Sequence, residues 1–336
     1  MLLSHIPGLG LPLNTGVTAV IIFYFTSGLL MRRSYRRFTR MSSFPVRDFY
    51  VDRLLKLYPQ YAVMVALSFS AIAMIGPAEH TLFMNQQADL TKVLLNLALL
   101  PANYVFEPLV IPGMLPHPII PPAWSLAAEF HFYLLVPLLA LLPRTVFLAL
   151  CLITGSIQIG ALFFVAGDYN SNNFGYRFIF GALVFFLFGC AQADKDDAFY
   201  RRVSLALWLV YAVMLFGIAP WFSLLANPQV KEVLLGAVLA LPLVSAAMRC
   251  KPSPARWATV DNHLGRMAYP LFICHIFAFY LCERLWNISY DRPTLMIPVT
   301  LLVSLMVAQL LLTLQQLFDR YRLERRGFAS MSQEPA

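Results

Sequence analysis

A glutamate, Glu129, and a histidine, His131, stand inside the run Trp124 to Pro137, WSLAAEFHFYLLVP, which is otherwise apolar. At membrane depth an ionisable side chain costs about 3 kcal/mol even on the gentlest insertion scale, so it faces a protein interior or a wet cavity and marks a site. Ser125 lies four residues before Glu129 and Tyr133 four after, which puts the three on one stripe of a helix. Such a stripe can orient a base, hold an acceptor hydroxyl or pair with a buried cation, and intramembrane carboxylates serve both functional and structural ends. His131 projects elsewhere on the helix and is read as packing or interfacial. Trp124 belongs at a bilayer boundary, where indole rings prefer to lie.

Other residues could supply the remaining chemistry. Arg53 and Lys56, three apart, share one helix face at the start of an apolar stretch, a natural grip for phosphates. The rival reading is headgroup anchoring, which is favoured for the basic cluster between residues 32 and 40. His5 carries the one side chain type that titrates near neutrality, as a general base requires. Read by itself it is a terminal histidine beside a loop. His275 lies deep in another apolar run, with Tyr269 and Pro270 ahead of it, and a neutral hydrogen-bonded core histidine accounts for it as well as a pocket role. The five cysteines show none of the close pairing of a zinc site or redox motif and read as small apolar packers, so no metal site is expected.

The elements that must position these residues are membrane helices. Apolar residues make up 59% of the 336 and charged residues only 12%, against about 25% charged in a soluble domain. Nine stretches approach the roughly 20 residues needed to cross a bilayer core as helix. They fall at about 16–31, 58–75, 123–142, 145–166, 174–190, 203–220, 232–248, 267–282 and 295–318. A tenth, Leu90 to Leu100, is short, runs into a proline-rich stretch, and is expected to be interfacial or re-entrant. The fold class is therefore an all-α polytopic membrane bundle, with residues 1–320 as one transmembrane domain and 321–336 as a short tail.

Lys and Arg accumulate on the cytoplasmic side of membrane proteins. Taking the loop after the first span as cytoplasmic places 20 of the 25 inside and five outside, and puts the C-terminus in the cytoplasm. The same asymmetry explains the net charge of +8 without nucleic acid, because inner-leaflet headgroups attract these residues. The location that follows is a bacterial inner (plasma) membrane. No loop is long enough for a soluble domain, the N-terminus does not read as a signal peptide, and no internal repeat is visible, which weakens a transporter built from inverted halves. With nine spans residue 1 would lie outside; one more upstream helix would give ten spans and both ends inside.

Four segments taken together are similar to the acyltransferase-3 family of multi-spanning membrane acyltransferases. They are AVIIFYFTSGLLM with Ser27 and Gly28, FYVDRLLKLYPQY with Arg53 and Lys56, WSLAAEFHFYLLVP with Trp124, Ser125, Glu129 and Tyr133, and LGRMAYPLFICH ending on His275. The resemblance implies transfer of an acyl group, often acetyl, from cytoplasmic acyl-CoA to a hydroxyl of a cell-envelope glycan or lipid-linked sugar. It further implies His5 and Glu129 as the catalytic pair, Arg53 and Lys56 as the acyl-CoA grip, and Ser27, Ser125, Trp124, Tyr133 and His275 as pocket residues. Acyl-CoA is then a co-substrate, and no tightly bound cofactor is expected. The family's arginine ahead of the histidine would fall before residue 1, so a start upstream is expected. Its Arg-x-x-Arg stands here as Arg53-Leu-Leu-Lys56, with one planar fork fewer for bidentate phosphate binding. Two other readings stay open: a proton-coupled transporter of a small polar solute, and an inactive family member.

Overall fold

The computed structural model describes residues 16–78, 89–104, 118–164, 166–250, 254–288 and 292–325; His5 lies outside them. Among the described residues every regular element is helical. In chain order they are α1 (Gly16–Met41), α2 (Pro45–Ile75), α3 (Leu90–Ala98), α4 (Ala123–Leu141), α5 (Arg144–Ala161), α6 (Ile179–Ala193), α7 (Ala198–Val213), α8 (Ala219–Trp221), α9 (Pro228–Ala247), α10 (Ala255–Trp286) and α11 (Pro293–Arg325). A tight 3₁₀ turn, Leu100–Asn103, follows α3, and a wide π turn, Asn173–Arg177, precedes α6.

Eight helical stretches among the described residues are long and apolar enough to cross a bilayer, and the chain is an integral membrane helical bundle. The ninth expected span is α1, a 26-residue helix whose apolar part ends at Arg32 and Arg33. Helices α2 and α10 begin about a dozen residues ahead of the apolar runs at 58 and 267. Charge ends an apolar run without ending a helix, because Arg, Lys and Leu are all good helix formers. At nine residues α3 is too short to cross, as the sequence suggests.

The described helices fall into two compact units. In the first, which holds α1 and α4 to α9, α6 is the central element: every residue but Phe180 is buried. It crosses α1 backbone to backbone. A Cβ on Gly28 would run into the Phe186 carbonyl, and one on Gly189 would run into that of Phe25. Two glycines facing in opposite directions thus let the helices touch, the small-residue contact through which membrane helices gain dispersion energy. Gly236 serves α9 likewise, since a Cβ there would meet Ile21 and the Thr18 carbonyl of α1.

Buried polar side chains tie this unit together at the helix breaks. Asn103 donates from Nδ2 to the carbonyls of Trp124 and Arg177 and accepts at Oδ1 from the Ile179 amide. One amide group thereby fixes the 3₁₀ turn, the start of α4 and the π turn against α6. Gln158 donates to the Gly175 carbonyl and accepts from the Tyr211 hydroxyl. Gln192 joins Ser204 and Ser245. Glu232 accepts from the amides of Val17 and Thr18, the first turn of α1, where the helix dipole and free N–H groups favour a carboxylate.

The second unit holds α2, α3, α10 and α11. Helices α10 and α11 pack along each other, and long side chains reach α2. Tyr58 and Tyr61 of α2 donate to the carbonyls of Leu97 and Asn96, which fastens α3 alongside.

Proline explains one bond in each unit. A proline inside a helix lacks the N–H that the carbonyl four residues earlier needs. In a bilayer that carbonyl must find another donor. Pro59 deprives Leu55, whose carbonyl accepts from Gln315 Nε2 of α11 at 2.9 Å. Pro242 deprives Val238, whose carbonyl accepts from Trp208 Nε1 of α7 at 3.0 Å.

Candidate active site

The site residues read from the sequence divide between the units. Ser27, Trp124, Ser125, Glu129 and Tyr133 belong to the first; Arg53, Lys56 and His275 belong to the second.

In the first unit the Ser27 hydroxyl donates a short hydrogen bond to Glu129 Oε1, joining α1 to α4. Both residues are buried. Gly28 brings α1 onto α6, and its neighbour Ser27 presents the hydroxyl to α4, so the Ser-Gly pair combines packing with a polar contact. Ser125 and Tyr133 share the buried stripe with Glu129. Beside them lies an aromatic wall: Phe132 stacks on Phe186 at 4.4 Å, and Tyr24, one turn before Ser27, sits 4.5 Å from the Phe186 ring. Such apolar walls lower the local dielectric and strengthen the Ser27–Glu129 contact. The Tyr24 hydroxyl is buried within electrostatic reach of Glu129, Tyr176 and Arg177, and has no hydrogen-bond partner among the described residues.

At the start of α4 the Trp124 and Tyr176 rings meet edge to face at 5.4 Å. The Arg177 guanidinium lies 5.5 Å from the Trp124 ring and 5.6 Å from that of Tyr176. His131 is held structurally, with Nδ1 at 2.8 Å from the Ala127 carbonyl and Nε2 at 3.1 Å from the Tyr104 hydroxyl. That pattern calls for the neutral tautomer with its proton on Nδ1. Packing was the expected role of His131.

In the second unit Arg53 is buried and ion-paired with the neighbouring Asp52, with its guanidinium 6.0 Å from the Phe49 ring. Lys56 is exposed. Sharing a helix face has therefore not given the two equal environments. Around them the same end of the unit gathers Arg322, which faces Asp52 at 3.5 Å and Asp319 at 3.3 Å, and Arg266, which faces Asp319 at 3.8 Å. His275 is buried, with Nδ1 against the Phe272 carbonyl of its own helix at 2.8 Å.

Several of these residues gave no separate signal in the sequence. Arg177 counted only as one of the five exterior cations and Arg266 and Arg322 among the twenty cytoplasmic ones, while Asp52 and Asp319 carried no reading of their own. Arg32 and Arg36 were grouped with headgroup anchors, yet both pair with Asp194 at the end of α6, at 3.1 and 2.7 Å, and Arg32 is buried. The first carboxylate past an apolar run, as Asp194 is, was the available hint.

A family model described as an acyltransferase domain matches residues 1–313. The helical bundle is thus that of a membrane acyltransferase, and the chain belongs to the acyltransferase-3 family. It is also similar to an uncharacterized protein of Aquifex aeolicus (strain VF5), 30% identical over 202 residues that cover 58% of this chain and 85% of the relative. No solved structure matches it.

Proposed function

We propose that the protein is an O-acyltransferase that moves an acyl group, acetyl in the simplest case, from cytoplasmic acyl-CoA to a hydroxyl of a cell-envelope glycan or lipid-linked sugar. The observation that carries the reading is the buried Ser27–Glu129 contact. It joins two of the segments that define the family resemblance in one polar spot inside the bundle.

The chemistry is balanced simply. The acceptor oxygen attacks the thioester carbonyl, its proton passes to a base, the carbon–sulfur bond breaks, and CoA leaves as its thiol. His5 is the proposed base, since imidazole is matched to neutral pH. Glu129 orients the base or the acceptor hydroxyl, with Ser27 holding one of its oxygens. Trp124, Ser125 and Tyr133 line the acceptor side. The CoA phosphates are assigned to the cationic end of the second unit, where Arg53 and Lys56 are joined by Arg266 and Arg322 against Asp52 and Asp319. His275 is assigned to the substrate pocket. The charge asymmetry of the loops supports a cytoplasmic location for this end and for the C-terminus.

The test uses the full chain in membranes with acetyl-CoA labelled in its acetyl group. Release of free CoA thiol together with alkali-labile label on envelope glycan is the expected result. His5→Ala should abolish both while leaving insertion intact, and the Arg53→Ala, Lys56→Ala double variant should raise KM for acetyl-CoA. Uptake of a solute without CoA release would instead establish the transporter reading.

A further inference from the structure

The strongest feature outside the reacting centre is the surroundings of Arg177. Its backbone is fixed on both sides, because Asn103 holds the Arg177 carbonyl and the Ile179 amide while Phe178 between them is extended. The π turn therefore delivers the arginine at a set place rather than on a wandering loop. Its guanidinium lies against both the Trp124 and Tyr176 rings, at 5.5 and 5.6 Å from their centroids, and Nε donates to the Tyr176 hydroxyl at 3.2 Å. Among the described residues no carboxylate pairs with it. Arg32, Arg36 and Arg144 of the same unit each pair with an aspartate.

An arginine stacked on aromatic rings keeps the in-plane edge of its fork available, and that edge fits two oxygens of a phosphate or carboxylate. The rings beside it offer flat apolar faces of the kind that cover the C–H face of a sugar, and Trp124 stands on the same helix as Glu129. The Tyr24 hydroxyl, buried and without a hydrogen-bond partner among the described residues, lies within electrostatic reach of both Arg177 and Glu129.

We propose that Arg177, with Trp124 and Tyr176, forms an acceptor subsite for an anionic sugar, one whose phosphate or carboxylate is carried close to the hydroxyl that is acylated. The proposal rests on the acyl-transfer reading and narrows it to acidic acceptors. A neutral glycan would offer the Arg177 guanidinium no anion.

The experiment measures thermal unfolding of the purified full chain in one detergent with glucose 1-phosphate, glucuronate, glucose and inorganic phosphate in turn, and with CoA separately. At least one of the two anionic sugars should raise the unfolding temperature at a concentration at least tenfold below that at which glucose does. A preference for glucose 1-phosphate assigns the anion to a sugar phosphate, and a preference for glucuronate assigns it to an acidic sugar. Arg177→Gln should remove the preference while the shift given by CoA is retained, which shows that the variant is folded. Equal responses to glucose and the anionic sugars would overturn the subsite. So would inorganic phosphate acting as well as glucose 1-phosphate, or an Arg177→Gln protein that keeps the preference. Absence of any CoA shift in the unaltered protein would count against the donor assignment alone, because the anion preference is read independently of it.

Discussion

Ser27 of α1 and Glu129 of α4, 102 positions apart in sequence, share a hydrogen bond in the buried interior of the first unit. The bond separates two roles that substitutions can tell apart. Glu129→Gln keeps an oxygen that accepts from Ser27 and removes the charge. Transfer should fall by about a hundredfold or more, the scale of a lost acid–base or orienting group, with little change in unfolding temperature. Ser27→Ala should instead cost about 1–3 kcal/mol of stability, because a buried carboxylate oxygen loses its donor. A transfer assay and thermal unfolding on both variants check this; equal effects on both readouts would refute the division.

The crossing of α1 and α6 tolerates no side chain at Gly28 or Gly189. Alanine at either position should destabilise the protein by about 1–3 kcal/mol through overpacking. Because both force the same separation of the helices, the double variant should cost less than the sum of the singles. Unfolding of the three variants in detergent measures the shortfall.

Gln315 and Pro59 are coupled through the Leu55 carbonyl. Gln315→Leu should cost about 1–3 kcal/mol, since the carbonyl then lacks a donor. In a Pro59→Ala background residue 59 supplies the missing N–H, so the same substitution should cost much less. A double-mutant cycle on stability gives the coupling, and a value near zero would overturn the explanation.

Asp197 accepts from the Phe199 amide at the start of α7 and pairs with Arg144. First the backbone hydrogen bond and then the arginine hold its carboxyl below the usual aspartate value. A group with a depressed folded pKa stabilises above its unfolded pKa, and that contribution is lost as pH falls through the folded value. Acid should therefore weaken the unaltered protein more than Asp197→Asn, whose side-chain oxygen keeps the cap and does not titrate in this range. Unfolding temperature followed from pH 6 down to about pH 3 shows whether the curves converge.

Cys250 is the exposed cysteine among five, the other four being buried. If the loop between α9 and α10 is cytoplasmic, a membrane-impermeant maleimide should label it in inverted vesicles and leave it untouched in intact cells. Labelling from outside would reverse the assigned orientation.

The sequence by itself determined the class of this protein. Apolar runs of bilayer length, a low share of charged residues and four ordered motifs sufficed to name a helical membrane acyltransferase and to single out Glu129. These signals are local, set by hydropathy and spacing within about 20 residues. Only the tertiary structure decided which polar groups meet. Nothing in the chain marks Ser27 as the partner of Glu129, or Asp194 as the partner of Arg32 and Arg36. Nor does it show Gln315 answering Pro59, or Arg177 lying against the Trp124 and Tyr176 rings. Each of these depends on which faces of distant helices are brought together, and glycine contacts, proline gaps and buried amides choose those faces through packing that no single segment encodes.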